Sequence, residues 1–314
     1  MIHDYIRSQV ERGFKVGPFL PQTCTSVVCS RMVAIPKKTP GKWQVKVDLS
    51  HLGDRSVNHL ICREAPHVAY SFTGDAAHIM HFIGRNALMA KLNIKEAYRI
   101  VPIHPDKRRF LGVCWQGQVF VDCQLPFGLA SAPVIVSVLG EALEWILRQR
   151  GIKAVIHYID DFLLLGPPSS PMCKDVLVVT LQTCQELRVP IAPEKTEGPV
   201  TSITFLGILL DSTSMPVSLP QDKLTKIRAM VRAACKLKSV NDVHFLESLV
   251  GHLVHAAMVC PLAKAFLYHL FMLKAALKPG QTRRLNLSAR TDLAWWEALH
   301  ESWPCISVQQ FLIM

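Results

Sequence analysis

Two adjacent carboxylates, Asp160 and Asp161, lie in the stretch Val155 to Gly166, which reads V-I-H-Y-I-D-D-F-L-L-L-G. The apolar runs on either side are short, rich in β-branched and aromatic residues, and bounded by Gly151 and by Gly166-Pro167-Pro168. That pattern predicts a buried β-hairpin. Burying an unpaired charge is costly, so the two acids belong at the hairpin tip, where a cation can meet them. Successive strand residues face opposite ways. Only one of the pair is therefore expected to reach a given site, with Asp160 as the ligand and Asp161 as its accessory. The tetrapeptide alone reads equally well as a solvated acidic turn, and the choice rests on the rest of the chain.

The elements around this hairpin follow from periodicity and punctuation. A short helix is predicted over 5–12 and ends at Gly13. A strand over 31–36 runs into a basic turn with Lys37, Lys38 and Lys42, and a return strand alternates Trp43, Val45 and Val47 against Gln44, Lys46 and Asp48. A helix over 75–83 and a strand over 88–93 lead to Ile94-Lys95-Glu96-Ala97-Tyr98-Arg99, a turn into a short helix. Two short strands are expected in 109–123. Leu125-Pro126-Phe127-Gly128-Leu129-Ala130-Ser131-Ala132-Pro133 reads as a turn feeding a helix, with Ser131 as its cap and Pro133 early in it. Val134, Val138, Ala142 and Trp145 or Ile146 mark that helix's apolar face, and Gly151 stops it. A helix is expected over 173–188, a loop over 191–196 and a hairpin strand over 203–210. Beyond Gln221 the apolar spacing predicts helices over 221–236, 240–258 and 261–277, with Ser239 and Asp242 resembling a capping pair. A last helix, about 288–300, carries Trp295-Trp296.

A chain of 314 residues, half of them hydrophobic, can bury a large core and divide into two or three parts. Its net charge of +11 suits a polyanionic partner, either nucleic acid or an anionic membrane surface. The most apolar window, Leu253 to Leu273, contains Pro261 and Lys264. A lysine at bilayer depth costs about 3 kcal/mol, so two amphipathic helices broken at Pro261 are expected there, and no membrane partner. The ten cysteines include no CxxC pair, and no secretory leader opens the sequence. Reduced thiols and an intracellular location, cytoplasm or nucleus, are the expectation.

Five pieces stand in a fixed order: a strand ending before Lys95-Glu96-Ala97-Tyr98, the Pro126-Phe127-Gly128-Leu129 turn, Tyr158-Ile159-Asp160-Asp161, Lys195, and Phe205-Leu206-Gly207. Together they resemble the reverse transcriptase family. Trp43…Val47-Asp48-Leu49-Ser50…Ser56-Val57-Asn58 and Asp292-Leu293-Ala294-Trp295-Trp296 are similar to the polymerases of retrotransposons, in particular the DIRS-like group. The likeness runs over nearly the whole chain. It implies an α+β right-hand polymerase with an antiparallel palm sheet flanked by helices, mixed fingers and a helical thumb. Fingers would cover 1–67 and 103–126, palm 68–102 and 127–215, and thumb 216–280. Residues 281–314 would begin a connection toward a ribonuclease H domain, whose active site is not expected in this chain. Ribonuclease H and recombinase segments of a longer polyprotein are implied partners.

The implied reaction is phosphoryl transfer from a deoxynucleoside triphosphate to a primer on an RNA or DNA template, supported by two Mg²⁺ (or Mn²⁺) ions. The family places one metal-binding aspartate at the end of the first palm strand and another in the Tyr-x-Asp-Asp turn. Here the first of these positions is Asn93, a degenerate ligand beside Asp160 and Asp161. An amide carbonyl brings no negative charge and has one acceptor oxygen where a carboxylate has two. Impaired polymerisation is the expectation, or a retained nucleic-acid-binding scaffold without catalysis. Glu96 would have to re-aim from another face to replace the lost carboxylate. Gln44 stands where many relatives carry an arginine that holds the triphosphate, which leaves Lys37 as the match to the family's triphosphate lysine. Tyr98 matches the residue beneath the sugar, and Phe127 and Gly128 match the nucleotide-contacting turn. Lys195 corresponds to a group that neutralises or protonates pyrophosphate. Leu206 and Gly207 match the primer-gripping hairpin, and Lys223 and Lys226 begin a basic track for the duplex backbone.

Overall fold

The computed structural model describes residues 1–36, 43–51, 53–61, 73–301 and 306–307. It divides into two compact units, one made of 1–70, 92–162 and 178–196, the other of 71–91, 163–177 and 197–314. The predicted Lys37, Lys38 and Lys42 turn lies outside the described residues.

The first unit is built on a five-stranded sheet, order β1-β6-β5-β2-β3, from β1 (Lys15–Phe19), β2 (Cys29–Pro36), β3 (Trp43–Asp48), β5 (Gly112–Trp115) and β6 (Gln118–Asp122). The expected hairpin joins β2 to β3 in antiparallel register, from Arg31 opposite Asp48 to Pro36 opposite Trp43. Its alternation is weaker than the sequence predicts, because Trp43 is 47% exposed while Val45 and Val47 are half-buried. Helix α1 (Ile2–Glu11) packs Ile6 against Val113 and Phe120. A buried ion pair ties β1 to β6: Lys15 Nζ donates to Asp122 Oδ2 at 2.6 Å, and Arg99 donates to Oδ1 of the same carboxylate at 2.7 Å. Burial pushes the Lys15 ammonium below its usual range, and Asp122 opposes that shift. A short helix, α3 (Pro105–Arg108), helix α4 (Ala132–Gln149) and strand β7 (Val155–Tyr158) complete this unit's regular elements.

Helix α4 corrects two expectations. Ser131 makes no side-chain cap, although Pro133 does stand in the first turn. The buried face is Ala132, Val136, Gly140, Leu143 and Leu147, whereas Val138 and Trp145 are exposed. Apolar residues occupy both stripes of this helix. Size decides between them: Gly140, without a Cβ, admits β7 at a distance that no larger residue allows.

The second unit contains α2 (Thr73–Ile83), β9 (Glu197–Val200), a four-stranded sheet of β10 (Ser202–Phe205), β11 (Ile208–Asp211), β12 (Pro216–Ser218) and β15 (Ile306–Ser307), and a small ladder of β13 (Ser239–Val240) with β14 (Arg283–Arg284). Its helices are α6 (Gln221–Cys235), α7 (Val243–Ala256), α8 (Tyr268–Ala276) and α9 (Leu287–Glu301). The expected helix over 261–277 starts as a 3-10 segment, Pro261–Leu267, before α8. Asp242 alone caps α7, accepting from Phe245 N–H at 2.9 Å, while Ser239 lies in β13. That corrects the expected pair, since Ser239 is held in a ladder opposite Arg284. Among the described residues no helix is long and apolar enough to cross a membrane.

The last sheet has the order β7-β8-β4-β9. Its strands β4 (Leu88–Asn93) and β8 (Asp161–Gly166) carry the chain from one unit to the other, as does helix α5 (Met172–Glu186).

Candidate active site

Strand β4 ends on Asn93, and β7 and β8 form the predicted hairpin with Asp160 at its turn. Two backbone bonds bring further segments to the end of β4. Ile94 N–H donates to Asp160 C=O at 2.9 Å, and Ala192 N–H donates to Asn93 C=O at 2.9 Å. The second bond delivers the 3-10 turn Pro193–Lys195. Three sequence-distant pieces therefore meet at one residue.

Their side chains close a network. Asn93, only 4% exposed, donates from Nδ2 to Asp160 Oδ2 at 2.8 Å and to Asp161 Oδ1 at 2.7 Å. Lys195 Nζ donates to Asn93 Oδ1 at 3.0 Å. These partners fix the amide's orientation. A flipped amide would set its oxygen against two carboxylates and its NH₂ against an ammonium. The expectation that only one acid reaches the site is corrected, because both do. Ile159, between Tyr158 and the pair, has φ +57°. A β-branched residue rarely adopts that left-handed conformation. It breaks the strand's alternation and lets two consecutive carboxylates converge.

Asn93 does not fit the role of a metal ligand here. The amide turns its donor, not its acceptor, toward the two carboxylates, and its oxygen accepts from Lys195. Among the described residues no group of three or more His, Cys, Asp or Glu is placed to hold a metal. Glu96 does not join Asp160 and Asp161: it stands at φ +50° and is ion-paired with Arg12.

The residues matched to nucleotide binding lie in the same unit. Tyr98 and Phe127 make an edge-to-face contact, with centroids 5.5 Å apart. Gln44, Phe127 and Gly128 line a cavity of about 140 Å³ with Tyr5 and Arg99. Gly128 has φ +97° and comes close to β3, where a Cβ would lie 3.4 Å from Val47 C=O. Sequence reasoning missed Asn58, whose amide pins this turn. Its Nδ2 donates to Gly128 C=O at 2.9 Å, and its Oδ1 accepts from Ala130 N–H at 2.8 Å. Asn58 stands in the Ser56-Val57-Asn58 motif of the retrotransposon likeness, but nothing in the sequence linked its amide to the Phe127–Ala130 turn. Arg99 was missed as well; Asp122 and Gln9 both hold its guanidinium.

In the second unit Leu206 and Gly207 form the β10–β11 turn, with φ +50° and +75°. Lys223 Nζ donates to Gly207 C=O at 3.0 Å, and His255 Nε2 lies 3.3 Å from Leu206 C=O. Burial lowers the pKa of both Lys223 and His255. Lys226 lies against His252, 2.5 Å away. Lys223, expected in the basic track for the duplex backbone, here also holds the turn itself.

The fold is that of the right-hand polymerases. A foamy viral protease-reverse transcriptase in complex with double-stranded DNA superposes with a TM-score of 0.68, at 17% identity, covering 96% of this chain and 47% of that one. The same type of enzyme in complex with an RNA/DNA hybrid gives 0.66, at 15% identity, over 96% of this chain and 36% of that one. The sequence identifies the class. The model of the family described as "Reverse transcriptase (RNA-dependent DNA polymerase)" matches residues 35–210, and the chain belongs to that family. Protein P of Duck hepatitis B virus (strain China) is 27% identical over 198 residues, 63% of this chain and 24% of that protein. Protein P of Heron hepatitis B virus is 24% identical over 163 residues, 52% of this chain and 20% of that protein. The chain spans about a quarter of the length of the curated relatives it matches.

Proposed function

We propose that this chain is a reverse transcriptase domain of retrotransposon origin, related to the DIRS-like group, that grips a template–primer duplex and transfers nucleotides with impaired efficiency. The family uses divalent metal ions. The observation that carries the impairment is the Asn93 amide donating to Asp160 and Asp161 together. A group that occupies both carboxylates as a hydrogen-bond donor competes with a cation for the same oxygens and adds no charge to attract one. Among the described residues the positive charge bonded to the amide is that of Lys195. Asp160 and Asp161, which would hold two Mg²⁺ or Mn²⁺ ions, are therefore a weakened set.

The other roles follow the family likeness. Tyr98 would seat the sugar, and Phe127 and Gly128 the incoming nucleotide, with Gln44 and Lys37 toward its triphosphate. Leu206 and Gly207 would hold the primer, with Lys226 on the duplex. Fingers over 1–67 and 103–126, palm over 68–102 and 127–215, thumb over 216–280 and a connection from 281 complete this reading. The retrotransposon assignment is supported by Trp43…Asn58 and by Asp292…Trp296, and the nucleic-acid partner by the net charge of +11.

Primer extension on an RNA template with Mg²⁺ or Mn²⁺ tests the proposal. Asn93→Asp is expected to raise the rate by about 100-fold, the effect of some 2.7 kcal/mol of transition-state stabilisation. Equal rates for the two proteins would falsify the impairment. If neither extends, yet both bind duplex with an affinity that falls steeply with salt, a binding scaffold of the same fold is the better description.

A further inference from the structure

Helix α4 and strand β7 meet along a seam with a matched repeat. Gly140, Glu144 and Arg148 recur every four residues on the helix, and Val155, His157 and Ile159 recur every two on the hairpin. The pairs run antiparallel. Arg148 donates to Val155 C=O at 3.3 Å. Glu144 Oε2 lies 2.5 Å from His157 Nδ1, and its Oε1 accepts from Arg148 Nε at 2.9 Å. A Cβ on Gly140 would stand 2.9 Å from Ile159 C=O and 2.5 Å from His157 Cδ2. Four helical residues rise about 6.0 Å and two strand residues about 6.6 Å, so the two repeats stay in step over three rungs.

The third rung ends on Ile159, the residue whose left-handed backbone turns Asp160 and Asp161 toward one amide. Such a conformation persists only where its surroundings over-determine it. His157 is buried and stacked on Phe162, with ring centroids 5.5 Å apart. It cannot swing away to relieve the turn.

We infer that Gly140, Glu144, Arg148 and His157 are positioning residues that set the separation and aim of the Asp160–Asp161 pair through α4. The inference rests on reading that pair as the family's active-site turn, but not on how active the turn is. Replacing a mid-helix glycine by alanine ordinarily stabilises a helix. Here the added Cβ would meet β7 instead, so a merely structural role for Gly140 predicts a lower thermal midpoint and an unchanged Asn93 amide in Gly140→Ala.

The test reads the site without catalysis. The full chain is labelled with ¹⁵N-asparagine, and the Asn93 side-chain NH₂ signal is identified by its loss in Asn93→Asp. In the unmodified protein both amide protons are held by carboxylates and exchange slowly. Gly140→Ala and Glu144→Ala are each expected to speed that exchange at least ten-fold, while Glu144→Gln, which keeps an acceptor for His157, restores most of the protection. If Gly140→Ala does not fold, the Glu144 pair decides by itself. Unchanged Asn93 protection in the folded Gly140→Ala and Glu144→Ala proteins overturns the inference, whatever primer extension shows.

Discussion

Two of the turns with left-handed backbone at a non-glycine residue, those at Ile159 and at Leu206, are held in opposite ways. The turn at Tyr158 to Asp161 presents acidic side chains, which a neutral amide cross-links. The turn at Leu206-Gly207 presents backbone carbonyls, which a lysine and a histidine with depressed pKa values occupy. In the first, anionic side chains are met by a group without charge. In the second, uncharged carbonyls are met by side chains that burial makes harder to protonate. In both turns the acceptors are taken, in the first by a neutral donor that competes with a cation for the carboxylates, in the second by donors that hold the backbone as a joint.

The largest break in this contrast is expected from Asn93→Leu. Two carboxylates and Lys195 would lose their common partner, at a cost of about 1–3 kcal/mol in urea denaturation. A change below about 0.5 kcal/mol would mean that water replaces the amide freely. Gly207→Ala comes next, with a loss of about 1–2 kcal/mol for a Cβ in left-handed backbone. The new methyl would also fall 1.9 Å from Lys223 Nζ, forcing that side chain off the Gly207 carbonyl. Hydrogen exchange in the peptide over 203–210 should rise in this variant while 155–162 stays unchanged. Equal effects on both peptides would show that the two turns are not independent.

The smallest effect separates the turns by pH. Burial, with Lys223 adding to it, holds His255 below its ordinary value of 6.5. Its contribution to stability is complete above that pH and is lost as pH falls through the depressed folded value. Burial raises the Glu144 carboxyl, but its bonds from His157 and Arg148 outweigh that and hold it below its ordinary 4.5. Its contribution is likewise present above about pH 4.5 and lost as pH falls further. Exchange corrected for its intrinsic pH dependence should therefore loosen first at 203–210, below about pH 6.5, and only under more acid conditions at 155–162. The reverse order would contradict the assignment of these partners.

Much of this was legible in the residues. Alternating and 3.6-period apolar patterns, bounded by glycine and proline, located the hairpin at Asp160, the strand ending on Asn93 and most helices of the second unit to within a few residues. That an uncharged amide stands at position 93 needed no coordinates, since residue type alone decides it. What pattern could not decide is what depends on distant partners. The buried stripe of α4 was misread because both stripes are apolar and only contact with β7 selects Gly140. Asp242 was paired with Ser239 because a ladder to Arg284 is invisible locally.

What the sequence determined by itself is the order of chemical groups along the chain, and with it the family, the acidic turn and the neutral amide at position 93. Tertiary structure alone decided that both acids reach one amide, which end of that amide they meet, and that Lys223 belongs to a turn. The reason is physical. Periodicity specifies which way a regular strand or helix faces, but the left-handed residue Ile159 and the rotation of the Asn93 amide are set by bonds from segments tens of residues away.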